Sequence, residues 1–141
     1  MSEAFWNIIH DGGINAIDGC VPGDLTLAIG IQYMCDQLPT AADSLVAVLR
    51  GCRRFEYTPF GKPAISDLHQ IAAASIEVLS AKECEGEIEV CCVNGMLRLA
   101  YGKVEVRLKE GPLVSQAELE AAANRSVAEW LEANKSDPAA G

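Results

Sequence analysis

Apolar and polar positions alternate along most of this chain, and the period changes only near its end. Leu25, Leu27, Ile29, Ile31 and Tyr33 alternate with Thr26, Ala28, Gly30 and Gln32. A period of two predicts a half-buried strand. Residues 87–93 set Ile88, Val90 and Cys92 against Glu87, Glu89 and Cys91, and residues 103–109 set Val104, Val106 and Leu108 against Lys103, Glu105, Arg107 and Lys109. Further strands are expected over 45–49, continuing to Tyr57 with a bend at Gly51, and over 76–82 and 96–101. Apolar runs at 5–10 and 14–17 flank Asp11-Gly12-Gly13. This arrangement predicts a hairpin, with Asp and Gly where positive φ is needed.

Local punctuation supports the same division. Val21-Pro22-Gly23-Asp24 reads as a turn, residues 37–43 as a loop around Pro39, and residues 58–63 as a loop carrying Pro59 and Pro63. Asn94-Gly95 is a strong two-residue hairpin signal. Ser66 or Asp67 is placed to cap a short helix to about residue 74, with Leu68, Ile71 and Ala72 inward. Ser115 and Glu118 form a capping box, and Leu119, Ala122, Ala123, Val127, Trp130 and Leu131 then recur at helical spacing. A helix over 116–134 is expected, its stripe covering a sheet or an edge. The fold class is therefore α+β: a mainly antiparallel, strand-rich sheet or partly open barrel, with a short middle helix and a long C-terminal one. Residues 1–136 are expected to form one domain, and 137–141 a loose tail.

Charge narrows the function. The net charge is −9, and residues 1–49 hold Glu3, Asp11, Asp18, Asp24, Asp36 and Asp43 with no Lys or Arg. Phosphate contacts need clustered Lys or Arg, so neither nucleic acid nor an anionic membrane surface is an expected partner. A cationic protein would be steered in by such a field. No apolar run approaches the roughly 20 residues that span a bilayer, and the N-terminus lacks the basic flank of a secretory signal. The expectation is a soluble cytoplasmic protein.

Candidate chemistry is sparse. The six cysteines contain no CxxC spacing, so small buried thiols are expected rather than zinc ligands. GxSxG, P-loop and GxGxxG patterns are absent. The only histidines are His10 and His69. With Asp11 they make the one conceivable metal or acid/base site, although vicinal residues on a strand face opposite ways. No catalytic residue, metal or cofactor is assigned. Glu83, Glu85, Glu87 and Glu89 have the period-two spacing of one strand face. Such a row needs an offsetting charge: a cation, the Arg50/Arg53/Arg54 group or a basic partner. The run Arg53-Arg54-Phe55-Glu56-Tyr57 reads as a strand with Arg–carboxylate pairs across it.

Phe5-Trp6, His10-Asp11-Gly12, Pro22-Gly23-Asp24 and Tyr33, followed by Gly51-Cys52 with Phe55 and Tyr57, resemble a family of short, uncharacterised bacterial proteins. Their shared frame is FW…HDG…I…G…PGD…L…I…YL, then G-C-x-x-F-x-Y. The resemblance covers about the first 60 residues, and the rest only in strand order. It implies an association with immunity partners of bacterial toxins and assigns no catalytic residue. The leading expectation is a non-catalytic binding protein that masks a basic, toxin-like partner. Its contacts would come from Asp11, Asp18, Asp24 and Asp36, and secondarily from Glu85, Glu87 and Glu89. A small metal-assisted enzyme using His10, Asp11 and His69 is the alternative. A homo-oligomeric module joined through a sheet edge or the Trp130 helix is a third reading.

Overall fold

The computed structural model describes residues 3–135; the tail expected at 137–141 lies outside them. The elements run α1 (Ala4–Ile8), β1 (Gly13–Gly19), β2 (Gly23–Gly30), α2 (Gln32–Cys35), β3 (Ser44–Cys52), β4 (Arg54–Pro59), α3 (Leu68–Ala73), β5 (Ile76–Cys84), β6 (Glu87–Cys92), β7 (Gly95–Ala100), β8 (Lys103–Leu108), β9 (Leu113–Val114) and α4 (Gln116–Lys135). All strand pairs are antiparallel, in one nine-stranded sheet of order β4-β7-β6-β5-β1-β2-β3-β8-β9. The architecture is α+β, and the sheet is not closed into a barrel.

The sheet bends into two halves. β3 runs on into β4, with Gly51 at φ +62° at the bend, and β7 runs on into β8. At the crossing Arg53 N donates to Ala100 O at 2.7 Å and Gly102 N to Arg50 O at 2.7 Å. On the other side the halves meet where Gly13 and Ile14 pair with Glu77 and Ile76. Beyond that short seam β1 and β5 separate, and helices cover the edges so exposed. α3 packs along β1 and α1 along β5. Asn7 takes the place of a pairing strand: its Oδ1 accepts from Ala81 N at 2.8 Å and its Nδ2 donates to Ala81 O at 3.0 Å. The outer edge of β4 is met by the loop after it, through the Tyr57–Ile65 bridge. A sheet whose edges are covered has fewer open templates for pairing with other chains.

The expected alternations form the core. Leu25, Leu27, Ile29, Ile88, Val90, Cys92, Val106 and Leu108 are buried in one cluster. Asp67 caps α3, accepting from Gln70 N at 3.1 Å, and Ser115 Oγ caps α4, accepting from Glu118 N at 3.1 Å.

Several boundaries differ from the sequence reading. Residues 4–8 are helical, not strand, because Phe5, Trp6 and Ile9 are all buried. Alternation would have sent Phe5 and Trp6 to opposite faces, whereas positions i, i+1 and i+4 share one side of a helix. Asp11-Gly12-Gly13 is accordingly a helix exit rather than a hairpin. Asp11 takes the left-handed conformation at φ 67°, and a Cβ on Gly12 would stand 2.8 Å from Ile9 O. β2 stops at Gly30, so Ile31 and Tyr33 leave the strand, and Tyr33 enters α2. β4 extends through Thr58 and Pro59; proline is tolerated there because β4 is an edge strand.

Two hairpins also shift. The β6–β7 turn is Val93-Asn94, since Cys92 pairs with Gly95. The other tight reversal, at Glu85-Gly86, joins β5 to β6 with φ of 53° and 78° at the two residues. This is the conformation that two-residue hairpins favour. It breaks the acidic row: Glu83 lies on β5 and Glu87 and Glu89 on β6, so the four acids do not share one strand face.

Candidate functional site

The acids singled out by sequence separate into paired and unpaired groups. Arg98 stands directly opposite Glu56 on β4 and Glu89 on β6, and Lys82 on β5 stands opposite Glu89. A ladder of alternating charge thus crosses the outer face of four strands. Within it Glu89 lies 3.6 Å from Arg98 and 3.7 Å from Lys82. Glu87 is held by both carboxylate oxygens to Arg54 Nη1, at 2.8 and 3.0 Å, and Arg54 also reaches Glu56 at 3.2 Å. The Arg–carboxylate pairing expected for residues 53–57 is present.

Asp24 accepts from Gly51 N and from Arg50 Nη1, each at 2.9 Å. Arg50 also binds Glu105 at 3.3 Å. The Gly51 N–H first, and then Arg50, hold the Asp24 carboxyl below its ordinary value of 3.8. Arg50, and then Lys103, lower Glu105 from 4.5. A depressed folded-state pKa stabilises the fold above the unfolded pKa and loses that contribution as pH falls through the folded value. Thermal stability should therefore fall as pH drops below the ordinary carboxylate range, and Asp24→Asn should flatten that limb. Melting curves from neutral to strongly acid pH check this; an unchanged slope in the variant would contradict it.

Asp11, Asp18 and Glu85 are exposed and have no ion pair among the described residues. Asp36 accepts from Gln32 Nε2 at 2.7 Å, a neutral donor that leaves its charge intact. Asp18 lies towards the β1–β2 turn, opposite Thr26, and Glu85 at the β5–β6 tip. Asp11 and Asp36 belong instead to one surface built by α1, α2 and α4.

Short side-chain contacts assemble that surface. Tyr33 on α2 donates from its hydroxyl to His10 O at 2.6 Å, and its ring centroid lies 5.7 Å from that of His10. Burial, with the Asp11 charge added, pushes the Tyr33 phenol up to about 12, so it stays a donor. On the other side of α4, Arg125 Nη2 donates to Gln37 O at 2.7 Å and Gln37 Nε2 to Glu129 Oε2 at 2.8 Å. Between α1 and α4 runs an open groove of about 360 Å³, lined by Ile8, His10, Glu120, Ala123, Asn124 and Val127 together with Asn7. The basic residues on these three helices are Arg125 and Lys135, against Glu118, Glu120, Glu129 and Glu132 on α4 alone.

The stripe on α4 does not cover the sheet along its whole length, as expected from spacing. Leu119 and Ala122 are buried, whereas Val127, Trp130 and Leu131 are 51%, 64% and 54% exposed. A helix turns about 100° per residue, so Trp130 lies only about 20° from Leu119, and Val127 about 80°. The division is therefore along the helix: its first turns are seated, and from Val127 to Asn134 it is exposed, with Ala123 and Val127 lining the α1–α4 groove.

The alternative site is not assembled. His10 lies beside Tyr33, His69 is exposed on α3, and among the described residues no three His, Cys, Asp or Glu side chains are grouped to hold a metal. All six cysteines are free. Cys35, Cys52 and Cys92 are buried, Cys84 and Cys91 half-buried, and Cys20 exposed. Burial is the main cause that pushes Cys35 up to about 11 and Cys92 up to about 12, the opposite of an activated thiol. A second groove, of about 410 Å³, lies where β8 and β9 meet the start of α4, lined by Phe5, Val104, Leu113, Val114 and Leu119 with Glu105 and Glu118.

Compared with models of protein families, with curated proteins and with solved structures, the chain matches none. Among the described residues no helix is long and apolar enough to cross a membrane.

Proposed function

We propose that this protein is a non-catalytic, acidic binding domain that masks a basic protein partner, in the manner of a toxin-immunity inhibitor. The observation that carries this reading is the segregation of charge. The basic residues of β3, β4, β5 and β7 include Arg50, Arg54, Lys82 and Arg98, all of which lie against carboxylates of the same sheet. The α1–α2 side has no basic residue from Glu3 to Leu49. Asp11 and Asp36 form no ion pair among the described residues, although Arg125 of α4 stands against Gln37 beside Asp36, and Asp18 and Glu85 add negative charge to their field from a distance. Asp24, Glu87 and Glu89 contribute less because their charges are already met.

Such a field acts mainly on the rate of encounter and is screened by salt. Co-expression with the protein encoded beside it provides a partner to test, and stopped-flow association measures the rate. Reversing both charges, Asp11→Lys with Asp36→Lys, should slow association about 10-fold or more at low salt, with little change at high salt. A rate indifferent to both the reversal and the salt would remove steering from the reading.

A further inference from the structure

Every residue of α4 from Val127 to Asn134 is exposed, and three of them are large and apolar. Exposed apolar residues scattered singly need no explanation, but a contiguous apolar face does. Val127 and Leu131 lie four residues apart, and Trp130 one turn beyond Val127, so all three share one side of the helix. Val127 lines the α1–α4 groove, whose wall includes Ile8 and Ala123, and Trp130 and Leu131 extend that side one turn beyond it. Apolar anchor and receiving groove are continuous.

We infer that Val127, Trp130 and Leu131, with this groove, form the apolar anchor of the partner interface, and that the partner lays an amphipathic segment with Lys or Arg beside its apolar row against it. The inference rests on the reading of the domain as a binder of a basic protein. Charge decides between the two candidate occupants. Glu120 lines the groove and Asp11 follows His10 at the groove's other wall, whereas Glu129 faces away towards Gln37. A second copy would bring the same acids, and a net charge of −9, against them. Like charges across an interface are unfavourable, whereas flanking Lys and Arg would match. Helix-in-groove recognition reads anchors at this spacing, and exposed tryptophans dominate the energetics of such contacts.

The test uses the full chain, isotope-labelled, and two synthetic amphipathic helical peptides. The peptides have identical apolar faces; one carries lysines on its polar face and the other glutamates. The lysine peptide should shift the resonances of Ile8, Ala123, Val127, Trp130 and Leu131, and the glutamate peptide should bind far more weakly. Trp130→Ala should weaken the lysine peptide about 30-fold. Because Trp130 is exposed, the variant should keep the parent circular dichroism. Shifts centred on another face, or a Trp130→Ala protein that binds as well as the parent, would overturn the inference while leaving the acidic reading in place. Equal binding of the two peptides would overturn its charge argument. Dimerisation of the free chain that is lost in Trp130→Ala would assign the face to a second copy instead. Failure of both peptides would overturn the anchor, and the charge-reversal rates would then judge the acidic reading separately.

Discussion

Trp6→Ala should destabilise the protein by about 3–5 kcal/mol, the range for truncating a large buried aromatic. Trp6 is fully buried, its Nε1 donates to the Tyr101 hydroxyl at 3.0 Å, and the edge of one ring meets Phe5 at a centroid distance of 5.1 Å. α1 has five residues and no side-chain cap, and a helix so short has little stability of its own. Packing of Phe5, Trp6 and Ile9 is what holds it against the sheet. Losing that packing should free Asn7 from the β5 edge and disturb the wall of the α1–α4 groove. Trp6→Phe should cost less, since most of the apolar contact remains and only the donor to Tyr101 is lost. Urea unfolding followed by circular dichroism gives the values. A loss below about 1 kcal/mol for the alanine variant would mean that α1 is not anchored in this way.

Gly95→Ala is the second large effect expected. Gly95 pairs with Cys92 on one side and Pro59 on the other. A Cβ there would lie 2.5 Å from Thr58 O and 2.8 Å from two atoms of the Tyr57 ring. Neither a backbone carbonyl nor a ring packed in the core can yield cheaply, and overpacking of this kind costs about 1–3 kcal/mol or more. We expect a value near the top of that range, about 3 kcal/mol. The strain should fall on β4, so protection of the Tyr57 and Ile65 amides, which bond each other's carbonyls at 3.0 and 2.7 Å, should drop before that of β2. Gly86→Ala is the control. Nothing lies within 4 Å of a Cβ there, so only the left-handed backbone cost of about 1 kcal/mol applies. Similar losses at the two glycines would show that steric crowding is not the cause at Gly95.

The two predictions bear on function through position. α1 contributes Ile8 to the groove and carries the chain to His10 and Asp11, so its anchoring sets the geometry of the unpaired acid surface. Gly95 lies in the half of the sheet that carries the Glu56–Arg98–Glu89–Lys82 ladder. Its substitution should lower stability without altering partner association under conditions where the variant is folded. Stability and recognition are thereby separable by experiment.

What the sequence determined alone was the structure set by neighbours a few residues apart. Alternation placed Leu25, Leu27 and Ile29 inside β2 and Ile88 and Val90 inside β6, because successive strand residues must face opposite ways. Ser115 fixed the start of α4 through a hydrogen bond spanning three residues, and the cap of α3 was narrowed to Ser66 or Asp67, of which the structure uses Asp67. The missing basic residues of the first 49 positions were also visible there. What the sequence could not decide were relations across long separations. Whether Phe5 to Ile9 would form a strand or a helix depended on Tyr101, 95 residues away from Trp6, and on the β5 edge that Asn7 fills. Whether Glu87 and Glu89 would remain open to a partner depended on strand register, which set Arg54, Arg98 and Lys82 beside them. The apolar period of α4 was legible, but only the tertiary structure divided it into a buried first part and an exposed second part. Periodicity states which residues share a side of a helix; what meets that side depends on where the sheet and the other helices lie.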